Sequence, residues 1–201
     1  YAYAGDMQGN LYRFDLCLAG LPEWEPGDLY IEYSGALTEC KQGASIHLDW
    51  SVQKIFTASY DDTVQPILNR PIVVENPQEG VVVVVGTGRY IVNGDNTNTD
   101  VQSIYGVWDR FDSTKLVLKT ELEAQTFTNI CGTITVGDDD VATCGRTLSS
   151  NPVGYNASPE DGDDAVLGWY IDLDLTAEGA SSGVEHPGER AIRNLQIKGG
   201  I

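Results

Sequence analysis

Histidine is nearly missing from this sequence: two in 201 residues, His47 and His186. They form no HExxH pair and are not four residues apart, which excludes a helix-borne zinc centre of the metalloprotease kind. A Gly-x-Ser-x-Gly elbow and a P-loop are absent too, so acyl transfer and phosphate cradling have no local signature. Basic residues are scarce, with 12 Lys and Arg against 30 Asp and Glu and a net charge of −18. So acidic a surface repels phosphate backbones and anionic headgroups. Nucleic acid and membrane surfaces drop out as direct partners, while divalent cations and basic protein patches stay in. Solubility is the plainer use of the same charge. No apolar run reaches the ~18 residues a membrane helix needs. No basic-then-apolar leader opens the chain, and residue 1 is Tyr, so the sequence reads as a processed or excised chain.

Cysteine is sparse and has no metal spacing. Cys17, Cys40, Cys131 and Cys144 contain no CxxC, which removes the zinc and thioredoxin patterns. Four cysteines allow three pairings. Cys131–Cys144 is favoured because it brackets Gly137-Asp138-Asp139-Asp140, a turn between threonine- and valine-bearing arms. Closing that loop is worth roughly 3 kcal/mol in the chain-entropy picture. Cys17–Cys40 then follows by elimination. Two disulfides mean an oxidising compartment, and four buried thiols in a reducing one is the alternative.

What is present is 41% hydrophobic and 21% charged, ordinary material for one domain with a sizeable core. The organising stretch is Arg70 to Trp108. Ile72–Glu75 is a short β-branched run, Asn76 to Gly80 a turn, and Val81–Val85 an unbroken valine run. Five β-branched residues in a row suit a strand covered on both faces. Gly86-Thr87-Gly88 ends it, and Arg89–Val92 and Val101–Trp108 are further extended candidates around an Asn/Asp/Thr loop. Successive short strands with no helical run between them predict an all-β fold of antiparallel meanders.

VVVVVGTGRYI, the polar loop and VQSIYGVWD together resemble the PilY/PilC family of type IV pilus biogenesis and tip-adhesin proteins. Two further stretches share the likeness. Tyr1 to Leu16 reads as a hairpin turning at Gly5-Asp6-Met7-Gln8-Gly9, with Tyr12, Phe14 and Leu16 on one face and Leu11, Arg13 and Asp15 on the other. Its YAGDxxGNLYRFDL is similar to the family's propeller-blade hairpin and, more loosely, to quinoprotein dehydrogenase blades. Near the C-terminus, Gly-Trp-Tyr-x-Asp-Leu is followed by Gly188-Glu189-Arg190 and Gly199-Gly200. The resemblance implies an antiparallel β-propeller segment of about three to four blades over 1–201, incomplete at both ends. The family's Asp-rich calcium loop would precede Tyr1, so that site does not carry over.

Elsewhere the reading is plainer. Residues 18–46 look like an insertion, with Leu29–Tyr33 a strand. His47–Ala58 is a strand. Tyr60 to Thr63 is a turn, and the two prolines of Val64–Val74 suit a sheet edge or a crossing between blades. Lys115–Glu121 is a strand with Leu116 and Leu118 on one face, and Leu122–Thr128 is strand or a helical turn. About 148–165 is a long acidic loop with an Asn156-Ala157-Ser158 sequon. Gly168–Leu175 is a strand with Trp169, Ile171, Leu173 and Leu175 on one face.

Candidate chemistry is thin. Gly86-Thr87-Gly88 lacks the helix a dinucleotide loop needs and reads as a turn. Asp172 and Asp174 stand ~7 Å apart on one strand face, a spacing open to an acid/base pair or to a solvated outer face. Two loops cluster the hard oxygens that suit Ca²⁺: Asp95, Asn96, Asn98 and Asp100, and Asp161, Asp163 and Asp164. Neither follows the EF-hand order, and turn chemistry alone also predicts such loops. No residue is singled out as catalytic. The resemblance implies a non-enzymatic extracytoplasmic protein at the pilus tip, cell surface or periplasm. Its partners would be minor pilins or tip proteins and a host or abiotic surface, met through Asn93–Asp100 and Asn156–Asp164. A quinoprotein-like enzyme is the second reading, weakened by the lack of adjacent cysteines, and a structural filament component the third.

Overall fold

The computed structural model describes residues 1–15, 51–111, 115–137, 139–155, 165–173 and 188–196. The first unit is an antiparallel sheet of β1 (Ala2–Gly5), β2 (Asn10–Asp15) and β3 (Ser51–Thr57), in that order. Asp6 makes the turn: its Oδ1 accepts the amides of Gln8 at 2.8 Å and Asn10 at 2.9 Å. Gly9 completes the turn at a φ of 73°, a region that suits glycine. The buried face of β2 is the Leu11 and Arg13 face, with Tyr12 and Phe14 half-buried opposite. Alternation found the two faces, and burial assigns the inner one to the row that carries a charge.

A two-residue hairpin follows, β4 (Ser59–Tyr60) to β5 (Thr63–Val64), with Asp61 and Asp62 both at positive φ. Short polar side chains tolerate that region. Pro66 and Pro71 lie in the extended link to β6 (Ile72–Glu75), which is the edge of the second sheet. Next come β7 (Val81–Gly86) and β8 (Ser103–Asp109), each antiparallel to its neighbour. Val82, Val83, Val84 and Val85 are all buried, as the two-sided run requires. Val83 and Val85 face the main core. On the other side the indole of Trp169 lies over Gly106, the partner of Val84, where any Cβ would collide with it.

The chain beyond β8 departs from expectation twice. Lys115–Glu121 is not a strand. Only Val117 pairs, in a parallel bridge to Phe56, and Lys119–Glu121 form a 3-10 turn. Val117 is 4% exposed while Leu118 is 54% exposed, so the valine faces inward and the leucines do not. Both rows of that segment hold aliphatic residues, and period two cannot say which is inside. The second departure is direction. β9 (Glu123–Gln125) runs parallel to β12 (Gly168–Asp172), although β12 is antiparallel to β8. Between β9 and β12 the chain leaves through β10 (Phe127–Val136) and β11 (Asp139–Leu148) and returns, the long excursion a parallel neighbour needs. The sheet order is β6-β7-β8-β12-β9, so the meander is not purely antiparallel.

Arg89–Val92 is a third correction, being an exposed loop and not a strand. In the β10–β11 hairpin the turn is shorter than expected, since Asp139 and Asp140 already belong to β11. The expected strand Leu29–Tyr33, the 18–46 insertion, Asn156–Asp164 and Gly199-Gly200 lie outside the described residues. The two sheets share one core. Leu11, Ile55 and Phe56 from the first meet Val83, Val85, Tyr105 and Val107 from the second, with Phe56 and Tyr105 rings 4.8 Å apart. Fully burying each aliphatic or aromatic side chain of this set is worth about 1.5–3 kcal/mol.

Candidate interaction surface

Gly86-Thr87-Gly88 ends the central strand and starts the loop that carries the exposed residues. Thr87 is fully buried and its hydroxyl takes the Ser103 amide at 2.8 Å, tying the loop base to β8. Asp95 organises the loop itself. It is buried, and its carboxylate accepts the amides of Ile91 at 2.8 Å and Val92 at 2.9 Å and the Arg89 Nε at 2.9 Å. The Val92 and Ile91 amides, helped by Arg89, hold the carboxyl below the usual carboxylate range. Those amides are the donors a strand would have used, which is why a β-branched segment stays out of a sheet here.

Arg190 closes the loop from outside. Its guanidinium donates to the carbonyl of Arg89 at 2.9 Å and to the carbonyl of Asn98. Gly188, at a φ of 80°, sits so close to the Asn98 carbonyl that a Cβ would strike it. The Ala191 amide bonds the Thr87 carbonyl at 2.9 Å, and Asn69 Nδ2 bonds the Ala191 carbonyl at 2.5 Å. Gly86-Thr87-Gly88 and Gly188-Glu189-Arg190 are therefore two halves of one lock. The lock turns Tyr90, Ile91 and Val92 outward, 57%, 70% and 54% exposed. Sequence reasoning placed these three in a strand and missed them as surface. Their signal was Asp95, a carboxylate three and four residues downstream of Val92 and Ile91 that can take their amides locally in competition with a strand.

The oxygen-rich residues of this loop do not converge. Asp95 points into the loop, Asn96 is exposed, and Asn98 Nδ2 bonds Asp100 Oδ2 at 2.6 Å. Asp161, Asp163 and Asp164 lie outside the described residues, as do His47, His186, Cys17 and Cys40. Among the described residues no three His, Cys, Asp or Glu side chains gather in a metal-holding group.

Two charged clusters cross the fold. Arg13 bonds Asp109 at 2.6 Å and Gln53 at 2.7 Å, while Tyr3 donates to Asp109 at 2.8 Å. Tyr1 and Phe111 stack 4.6 Å apart beside the Arg13 guanidinium. Burial, with Asp109 alongside, pushes the Tyr3 phenol well above its ordinary value. Asp172 is the second case, and it is not a solvated outer-face group. It is half-buried, takes Lys119 Nζ at 2.9 and 3.1 Å and Ser103 Oγ at 2.5 Å. Lys119 in turn lies over the rings of Tyr170, Tyr60 and Tyr105 at 4.5, 5.2 and 5.7 Å. Asp174, its proposed partner, is outside the described residues. A small cleft lined by Trp108, Asp109, Arg110, Lys115 and Val117 lies nearby. Its ionised groups are already engaged: Asp109 by Arg13, Arg110 by Glu79, Lys115 by Glu121.

Comparison with known proteins agrees with this geometry. The family model for the PilY1 beta-propeller domain matches residues 1–138. The type IV pilus biogenesis factor PilY1 of Pseudomonas aeruginosa is 31% identical over 186 residues, 86% of this chain. A homolog of that factor from Xylella fastidiosa is 27% identical over 98% of this chain. The chain spans only 15% and 11% of the length of these two relatives. The crystal structure of the P. aeruginosa PilY1 C-terminal domain superposes with a TM-score of 0.60 at 27% identity, covering 87% of this chain and 35% of that one. The hairpin, the valine strand and the glycine-flanked loop all fall within the matched region, and this all-β chain belongs to the PilY1 β-propeller family.

Proposed function

We propose that this chain is the protein-contacting propeller segment of a type IV pilus biogenesis and adhesion protein and that it works without catalysis. One observation carries the reading: a loop locked by Asp95 and Arg190 holds three apolar side chains, Tyr90, Ile91 and Val92, in water. Apolar groups fixed on a rigid loop bind at low entropic cost, because the ordering is done before the partner arrives. Loops on a rigid β scaffold are where binding residues concentrate. The partners proposed are minor pilins or other tip proteins on one side and a host or abiotic surface on the other. The place proposed is outside the cytoplasm, at the pilus tip, the cell surface or in the periplasm. No helix among the described residues is long and apolar enough to cross a membrane.

Calcium is retained as a proposal for Asp161, Asp163 and Asp164, since Asp95 spends its oxygens on its own loop. The role is tested by replacing Tyr90, Ile91 and Val92 with serine in a piliated bacterium. Surface pili and attachment should fall while the protein level and fold stay as they were. Unchanged pili and unchanged attachment would sink the reading.

A further inference from the structure

The β10–β11 hairpin leaves a stripe of aliphatic side chains uncovered. Alternation and register put Ile130, Ile134 and Val136 on one face with Val141, which lies directly across from Ile134. All four are open to water, at 58%, 51%, 60% and 45% exposure. The opposite face is mixed, with Thr133, Thr135, Asp140 and Arg146 beside Phe127 and a 47% exposed Leu148, and is the one tied down. There Arg146 grips Glu189 through two bonds of 2.7 and 3.1 Å and lies over the Phe127 ring, and Thr135 bonds Asp140. A hairpin that served only to close a core would bury the Ile134–Val141 stripe.

Among the described residues its edges are open as well: the ribbon has two strands and no third. The Ser149 amide bonds the Thr126 carbonyl at 2.9 Å, so that pair is hydrogen-bonded. Pairs alternate from there. Thr133 and Thr135 on β10, and Asp140 and Arg146 on β11, therefore fall in wide pairs whose N–H and C=O point outward. Each arm is ten residues, about 34 Å of strand.

The geometry points to strand addition. We propose that the hairpin takes an extended segment of a partner protein as a third strand, apolar residues over the Ile134–Val141 stripe and lysine or arginine on the other face. Charge favours this occupant over a second copy. Two chains of net charge −18 repel, and four half-exposed aliphatic side chains fall well short of the roughly 800 Å² per partner that a stable dimer buries. Added-strand hydrogen bonds make up what the small apolar area lacks. This site is distinct from the Tyr90–Val92 loop, and neither proposal depends on the other.

The probe is a labelled synthetic peptide, Lys-Val-Thr-Val-Lys-Val-Thr-Val-Lys, titrated by fluorescence anisotropy into the purified chain at physiological salt. Two controls replace every Val by Ser or every Lys by Glu. The Val/Lys peptide should bind saturably and at least tenfold more tightly than either control. The variant Ile134→Thr/Val141→Thr keeps β-forming residues and should bind it at least tenfold more weakly with an unchanged Tm. No binding, equal binding of the serine peptide, or undiminished binding by the variant overturns the proposal. So does a clear fall in the variant's Tm, because the stripe would then be a packed core face.

Discussion

Arg13 and Asp109 are 96 residues apart in the chain and 2.6 Å apart in space. Their side chains are 6% and 4% exposed, so the ion pair joins the first sheet to the second in the dry part of the molecule. Such a pair adds little net stability over apolar residues of the same shape, but removing one partner strands a charge. Asp109→Ala should cost about 3–5 kcal/mol, read as a lower midpoint in urea. Arg13→Met combined with Asp109→Leu should cost less than the sum of the two single changes. A strictly additive result would show that the two groups act independently.

The loop lock gives a second expectation. Asp95→Ala removes the acceptor shared by the Ile91 and Val92 amides, and Arg190→Ala frees the carbonyls of Arg89 and Asn98. Both changes should speed amide hydrogen exchange at residues 91 and 92 while leaving β7 and β8 protected, since local opening need not involve the core. Exchange spreading into the valine strand would mean the loop is part of the global unfolding unit.

Acid should weaken the same turns. Burial works to raise Asp6, but the donors from Asn10, Gln8 and Tyr12 outweigh it and leave the carboxyl below its ordinary value of 3.8. Asp95 is lowered as well, by Val92 and Ile91 first. A depressed folded-state value means the unfolded chain takes its proton first as pH falls. The stabilisation is therefore complete above the ordinary value and is lost as pH drops through the lower folded one. Stability measured in urea should be flat from neutrality to about pH 5 and fall below pH 4. In Asp6→Asn and Asp95→Asn the acid slope should be shallower.

Much of this was legible. The valine run, the Asp6 turn and the Tyr60–Thr63 hairpin follow from residues whose neighbours in sequence decide their shape. What was not legible depends on distant partners. Alternation leaves open which row of β2 is inner until Asp109 of the other sheet meets Arg13, and which row of residues 115–121 is inner until Val117 meets Phe56. The Arg89–Val92 segment has strand composition, but a carboxylate downstream captures its amides. The exposed stripe of the last hairpin is invisible to alternation, which finds faces and not what covers them.

That hairpin also carries the remaining expectation, a disulfide between Cys131 and Cys144. The register sets the two residues directly opposite each other. Counting from the hydrogen-bonded 126/149 pair makes theirs a wide, non-hydrogen-bonded pair. In such pairs the Cα atoms approach to about 4.5 Å, inside the range a disulfide spans. A cross-link there would stiffen a ribbon that has no third strand among the described residues, and two-stranded ribbons are marginal alone. Peptide mapping without reductant should therefore recover Cys131 and Cys144 joined, and reductant should raise amide exchange along both arms while sparing the valine strand. Recovery of Cys131 joined to Cys17 or Cys40 would refute the pairing, and free thiols at both positions would remove the argument for an oxidising compartment that rests on it.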